Sequence, residues 1–389
     1  MVVTTAAFLL QVVASAGASC APPSVCAAPP ASSVRLNDAV HPRVQWNFNG
    51  GFCGAFSLQT TMMAHGAWVS EDLVRKANIG AACFGHGNGP NSTVCQAADD
   101  ADCRSAAPGG CEVGPENYAA TCAGLRLDCD VWDYAQRPLP QAPAYKAWLK
   151  AHLVRGVPVV WVPLLKGASN TPYGNRSCPG GGHFNHHEPV LGIGSNRSLD
   201  PASAAAAAVY DDDWLAHLSD EDEEKGGLAT YYRTFGSLQD GVEMGGNCAH
   251  ADREHACAYP CFDEQVTYGI AVRAFAREGA GAAAARPVGI EVGIEEEPDP
   301  REGGKPVRMH ASVTVRALTV GARYVLYRYG GINAFPASGV AGYDSEVAFT
   351  ATATEWNHRD PEAFMSDDAV YYLAVPSKAR PVTHTPMYE

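Results

Sequence analysis

The C-terminal part of the chain alternates apolar and polar side chains with a period of two, and this pattern constrains the fold more than any other feature. Segments such as "VRMHASVTVRAL" and "SEVAFTATATEW" put their apolar residues on one face and are separated by turn residues. A sheet with one apolar face must bury it against another layer, so the pattern predicts a small all-β sandwich over residues 288–389. The stretch "REGAGAAAARP" before it predicts a linker over residues 277–287.

The preceding region, residues 41–276, mixes helical and strand patterns. "AFSLQTTMMAHGAW" and "PAYKAWLKAHLVR" have helical spacing, whereas "VPVVWVPLL" and "EPVLGIG" are short apolar runs typical of buried strands. "AAAAAVY", before Asp211, also reads as a strand. With 389 residues the chain is long enough for two domains. We therefore expect an α+β domain followed by the β-sandwich.

The N-terminus predicts export. Residues 1–18 combine an apolar run with small residues, which is typical of a signal peptide, and residues 19–40 form a Pro/Ala-rich tether. Glycosylation patterns occur at Asn91, Asn175 and Asn196. The net charge of −14 argues against nucleic acid and anionic membranes, and no later apolar run is long enough for membrane insertion. We expect a secreted glycoprotein that works on a peptide or protein substrate, with its oligomeric state open.

The chain contains thirteen cysteines, many for a reducing compartment and ordinary for an oxidising one. An odd number leaves at least one cysteine outside intrachain disulfides. Most lie in dense, turn-rich clusters, six of them from Cys83 to Cys129, and are expected to form disulfides. Cys53 stands alone in an apolar setting and is the best candidate for a free thiol.

The surroundings of Cys53 favour a reactive thiolate. It lies in "GGFCG" at the predicted start of a helix, where unpaired N–H groups and the helix dipole stabilise an anion. A histidine cluster, "GGHFNHHEP", begins a later strand and contains His183, His186 and His187. His187 follows Cys53 by 134 residues, within the ~130–150 typical of papain-type Cys and His. Asp211 is the predicted third member, with Asp212 as the alternative because one step in register exchanges their faces.

"CGAFS" at 53–57 resembles the nucleophile helix of papain-like cysteine peptidases. The order of this helix, "GVPVVWVPLL" and "HEPVLGIGSN" is similar in style to the bacteriocin-leader-processing (double-glycine) peptidases. The resemblance implies a papain-like core, in which the nucleophile helix packs on an antiparallel sheet. It also implies that Cys53 is the nucleophile, His187 the general base and acid, and Asp211 the orienting residue, with no cofactor.

The resemblance further implies a side-chain amide that helps to bind the oxyanion. The family places a glutamine six residues before the cysteine, where this chain has Asn47, and the nearest upstream glutamine is Gln45. Both stay open as oxyanion candidates.

Several other interpretations stay open at this point. The same Cys-His-Asp chemistry serves acyl transferases and amidases that are not proteases, and a secreted binding protein could keep the fold without activity. The donors His183, His186, His187 and Glu188 could hold zinc, but they lack the H-E-x-x-H pattern. The acids of 211–213 and 220–224 lack the ligand spacing of a calcium loop. We therefore expect a cysteine hydrolase without a metal.

Overall fold

The computed structural model describes residues 28–37, 39–42, 53–71, 74, 113, 118–133, 141–166, 183–218, 230–240, 261–262, 267–275, 288–298, 306–330, 343–361 and 371–377. The α-helices in these ranges are α1 (Cys53–Met63), α2 (Tyr118–Gly124), α3 (Ala142–Leu153) and α4 (Ala204–Ala207). The strands are β1 (Ser33–Leu36), β2 (Ala67–Val69), β3 (Leu127–Asp133), β4 (Val159–Val162), β5 (Leu164–Lys166), β6 (His183–Asn185), β7 (Glu188–Ser195), β8 (Trp214–Leu218), β9 (Thr230–Thr234), β10 (Gln239–Asp240), β11 (Cys261–Phe262), β12 (Tyr268–Phe275), β13 (Gly289–Pro298), β14 (Pro306–Arg316), β15 (Arg323–Tyr329), β16 (Ser345–Thr350), β17 (Trp356–Arg359) and β18 (Tyr371–Pro376).

A seven-stranded antiparallel sheet organises the first part of the chain. Its order is β3-β12-β4-β7-β8-β9, and β1 pairs with the second half of β7. A four-stranded sheet, β10-β11-β5-β6, is antiparallel except for the β10–β11 pair. With few helices and mostly antiparallel strands, the described chain is α+β, as predicted.

The central sheet is buried on both faces, which explains the nearly continuous apolar run of β4. Val160 and Val162 face the core that contains α1, whereas Val159 and Trp161 face the core that contains α3. Successive side chains of a strand point to opposite faces, so only a run of apolar residues fills both cores. Helix α1 therefore lies on one face of the sheet and α3 on the other.

The C-terminal strands form two sheets, β13-β14-β17 and β16-β15-β18-β2, which face each other across a common apolar core. The last strand of the second sheet, β2, comes from the segment after α1 and pairs with β18. Tyr327 and Leu373 also share a core with Leu58 of α1. The C-terminal strands and the preceding region are thus joined by a sheet and a core. The predicted linker of 277–287 lies outside the described residues.

The end of the predicted tether is part of the fold. Strand β1 pairs with Gly192–Ser195, and Ala39 and Val40 are buried. Residues 33–36, 39 and 40 are thus paired or buried within the fold, in the stretch 19–40 that was predicted to be a tether. The predicted signal peptide lies outside the described residues. No helix among the residues described is long and apolar enough to cross a membrane.

Candidate active site

Cys53 is the first residue of α1, and every following residue of that helix is buried. Its own side chain is partly exposed. Of the cysteines whose side chains the structure describes, Cys122 and Cys129 form a disulfide between α2 and β3, and Cys53 is free. A helix N-terminus favours an anion, so the thiol lies where a thiolate is stabilised and a reactant could reach it.

His187 brings an imidazole to this thiol. It precedes β7, is 4% exposed, and its Nδ1 lies 3.3 Å from Cys53 Sγ. Helix α1 packs against β4 and β7, and this packing brings the first residue of α1 next to the residue that precedes β7. The two catalytic residues predicted from the sequence are thus in contact.

The pKa of the Cys53 thiol is low. Burial by itself would raise the pKa, but the charge of His187 and hydrogen bonds from His186 and His187 lower it to about 6. A free thiol has a pKa of about 8.5. At neutral pH the thiolate form of Cys53 is therefore favoured. His186 is itself buried, and its backbone N–H donates to the carbonyl of Pro163 at 3.1 Å.

The other ring nitrogen of His187 is hydrogen-bonded to a tyrosine. Nε2 is hydrogen-bonded to the hydroxyl of Tyr268, and that hydroxyl donates to the backbone carbonyl of Val113 at 2.9 Å. Tyr268 is fully buried in β12. Sequence reasoning missed this residue, because Tyr268 follows His187 by 81 positions and stands in an ordinary strand pattern.

The predicted third members, Asp211 and Asp212, do not lie at His187. They precede β8, whose first residue Trp214 pairs with Gly194 near the far end of β7. With a rise of roughly 3.3 Å per residue, this end is about 20 Å from His187. Both side chains are exposed, and Asp212 accepts a hydrogen bond from Arg197 at 2.7 Å.

The position of Asp211 and Asp212 has a local cause. The alanine run before the aspartates is α4 rather than a strand, because alanine has the highest helix propensity and Ser203 caps the helix through the N–H of Ala206. The strand follows the aspartates instead of preceding them. They consequently reach the opposite end of the sheet.

The remaining predicted positions are distributed as follows. Asn196 is exposed just after β7, as a glycan acceptor requires. His183 belongs to β6, which pairs with β5, and only its backbone is described. Gln45 and Asn47, the oxyanion candidates, and Asn91 and Asn175, the other glycosylation candidates, lie outside the described residues.

Glu188 points away from Cys53. It accepts a hydrogen bond from Trp161 Nε1 at 2.9 Å, and its Oε2 lies 3.5 Å from His217 Nδ1. Trp161 belongs to the core on the α3 side of the sheet. Burial alone would raise the pKa of Glu188, but His217 and Arg233 hold it well below its usual range. These contacts fix the first residue of β7 on the face of the sheet opposite Cys53. The residues described contain no cluster of three or more metal-ligating side chains.

Comparison of the chain with family models, with curated proteins and with solved structures found no match.

Proposed function

We propose that this protein is a secreted cysteine-dependent hydrolase that cleaves peptide or amide bonds on a papain-like core. One observation carries the proposal: Cys53 Sγ lies at a helix N-terminus, 3.3 Å from His187 Nδ1. A nucleophile within reach of its base is the signature of covalent acyl transfer. The packing of this helix on an antiparallel sheet that carries the histidine supports the resemblance.

The proposed hydrolysis uses Cys53 and His187 in turn. His187 takes the proton of Cys53, and the thiolate attacks the substrate carbonyl to form a tetrahedral oxyanion. The backbone N–H of Cys53 at the helix N-terminus would stabilise that oxyanion, together with Gln45 or Asn47. The imidazolium then protonates the leaving amine as the C–N bond breaks and a thioester remains. His187 finally deprotonates a water, which releases the acid and restores the thiol.

Export is part of the proposal. It is supported by the N-terminal pattern, by the thirteen cysteines and by the Cys122–Cys129 disulfide, since such bonds persist in oxidising compartments. The exposed side chain of Asn196 is compatible with a glycan.

The first test follows the alkylation of Cys53 by iodoacetamide as a function of pH. With a thiol pKa of about 6, the rate should rise about tenfold per pH unit below that value and then level off, because only the thiolate reacts. His187→Ala should move the plateau to higher pH. His41→Ala, which changes a half-exposed histidine of another surface, should not move it.

Hydrolysis is measured on a mixed peptide library. Cys53→Ala should lower it by about three orders of magnitude or more, with an unchanged melting temperature. Retained hydrolysis in this variant would contradict the mechanism. Transfer of the acyl group to an added amine instead of water would favour an acyltransferase. A thiol with an ordinary pKa and no turnover would favour a binding protein.

A further inference from the structure

We propose that Tyr268 is the positioning residue of His187, in the place where a carboxylate was expected, and that it holds the imidazole proton on Nε2. The inference rests on the proposed function, since it assigns how the base of that reaction is oriented. Three contacts form a continuous chain: Cys53 Sγ to His187 Nδ1, His187 Nε2 to the Tyr268 hydroxyl, and that hydroxyl to Val113 O.

The directions of these hydrogen bonds can be assigned by counting protons. A tyrosine hydroxyl has one proton, and Tyr268 donates it to the carbonyl of Val113, which can only accept. The hydroxyl oxygen must then accept from His187, so Nε2 carries a proton. In the neutral imidazole, Nδ1 is left with its lone pair directed at Cys53 Sγ, which is the arrangement that a general base requires.

Tyr268 is held rigidly enough for this role. Its strand, β12, is paired on both sides, with β3 and with β4. Its side chain is fully buried, Tyr118 stacks on its ring at a centroid distance of 5.9 Å, and its backbone carbonyl accepts from the hydroxyl of Tyr145 at 2.9 Å. A side chain fixed in this way can orient its partner.

No described carboxylate competes for Nε2. Glu188 lies on the opposite face of the sheet, with Trp161 and His217, and Asp211 and Asp212 lie at the far end of β7. In the described part of the chain, the hydrogen-bond partners of the His187 ring are thus Cys53 and Tyr268. A neutral hydroxyl stabilises an imidazolium less than a carboxylate does. Tyr268 therefore acts mainly by fixing the tautomer and the orientation of the His187 ring.

The test compares Tyr268→Phe with Tyr324→Phe. The control removes the hydroxyl of another buried tyrosine, which accepts from the N–H of Thr319 at 2.9 Å and does not contact the site. Loss of one hydrogen bond to His187 should slow alkylation of Cys53 at pH 5 by about 3- to 10-fold and raise its apparent pKa by about 0.5–1. With a peptide substrate, kcat should fall while KM stays unchanged. Tyr324→Phe should lower the stability but leave the alkylation profile of Cys53 and kcat as they are in the wild type.

If Tyr268→Phe lowers the melting temperature but leaves the pH profile and kcat of the wild type, the tyrosine is merely structural and the inference is overturned. A second measurement needs no change at Tyr268. In Cys53→Ala, the ¹⁵N shifts of the His187 ring should show the proton on Nε2. A proton on Nδ1 would overturn the inference even if Tyr268→Phe fails to fold.

The two proposals fail in distinguishable ways. Ordinary thiol reactivity of Cys53 in the wild-type protein would remove the proposed function and, with it, a role for Tyr268. A reactive wild-type thiol that is unaffected by Tyr268→Phe would remove only the role of the tyrosine.

Discussion

At the scale of single residues, the site depends on how closely α1 approaches His187. Gly54 follows Cys53, and a Cβ added there would lie 2.9 Å from Val113 Cβ and 3.4 Å from His187 Cδ2. Real Cβ atoms do not come as close as the first of these distances, so Val113 would have to move. Its carbonyl is the acceptor that holds Tyr268.

Gly54→Ala should therefore slow the alkylation of Cys53, although alanine is the better helix former. The propensity gain, which is at most about 1 kcal/mol in the first turn of a helix, is opposed by an overpacking cost of about 1–3 kcal/mol. Thermal unfolding measures the change in stability, and the alkylation rate at pH 6 measures the change in the reactivity of Cys53. Gly293→Ala is the control, because the nearest atom to its added Cβ is Ser312 O at 3.9 Å. A Gly54→Ala protein that is more stable and equally reactive would contradict the packing argument.

At the scale of elements, a buried ion pair connects α3 to the residue that precedes β8. Lys150 of α3 donates to Asp213 Oδ2 at 2.6 Å and also to the carbonyls of Ala205 and Ala208 around α4. The two side chains of the pair are 1% and 0% exposed. A buried charge that loses its partner is costly, because water cannot replace the partner.

Lys150→Met should lower the free energy of unfolding by about 3–5 kcal/mol. The chain offers a matched control at the same distance: Arg273 Nη2 lies 2.6 Å from Asp128 Oδ1, but that pair is about half exposed. Arg273→Met should cost no more than about 1 kcal/mol. Urea titration at neutral pH compares the two, and equal losses would show that burial does not set the value of the pair.

At the scale of the whole molecule, α1 is enclosed by the central sheet on one side and the C-terminal strands on the other. Leu58 of α1 shares its core with Ile270 and with Leu373 of β18. Helix α1 cannot keep its environment without the C-terminal strands. We therefore expect the described chain to unfold as one unit.

Leu373→Ala tests this expectation, since truncation of a buried leucine costs about 2–5 kcal/mol. The fluorescence of the tryptophans and the fast alkylation of Cys53 at pH 6 should be lost at the same urea concentration, and both midpoints should fall together. Val320→Ala, at a position 61% exposed, should change neither. Fast alkylation that persists after the fluorescence transition would instead indicate two independent domains.

Local patterns predicted much of this protein. The helix that begins at Cys53, the buried strand over Val159–Val162 and the alternating C-terminal strands all follow from the spacing of apolar residues over a few turns or steps. The free state of Cys53 and its contact with His187 were also predicted, from cysteine distribution and from motif order.

The sequence by itself determined which residues could be nucleophile and base, because a helix start and a strand start are local features. Only the tertiary structure decided which side chain lies at the Nε2 of His187. The alanine run before Asp211 formed a helix, the antiparallel register carried the aspartates away from His187, and β12 brought Tyr268 to Nε2. The tertiary structure likewise decided that β2 completes the C-terminal sheet. Pairings between distant strands depend on how whole sheets pack, and no short window of sequence contains that information.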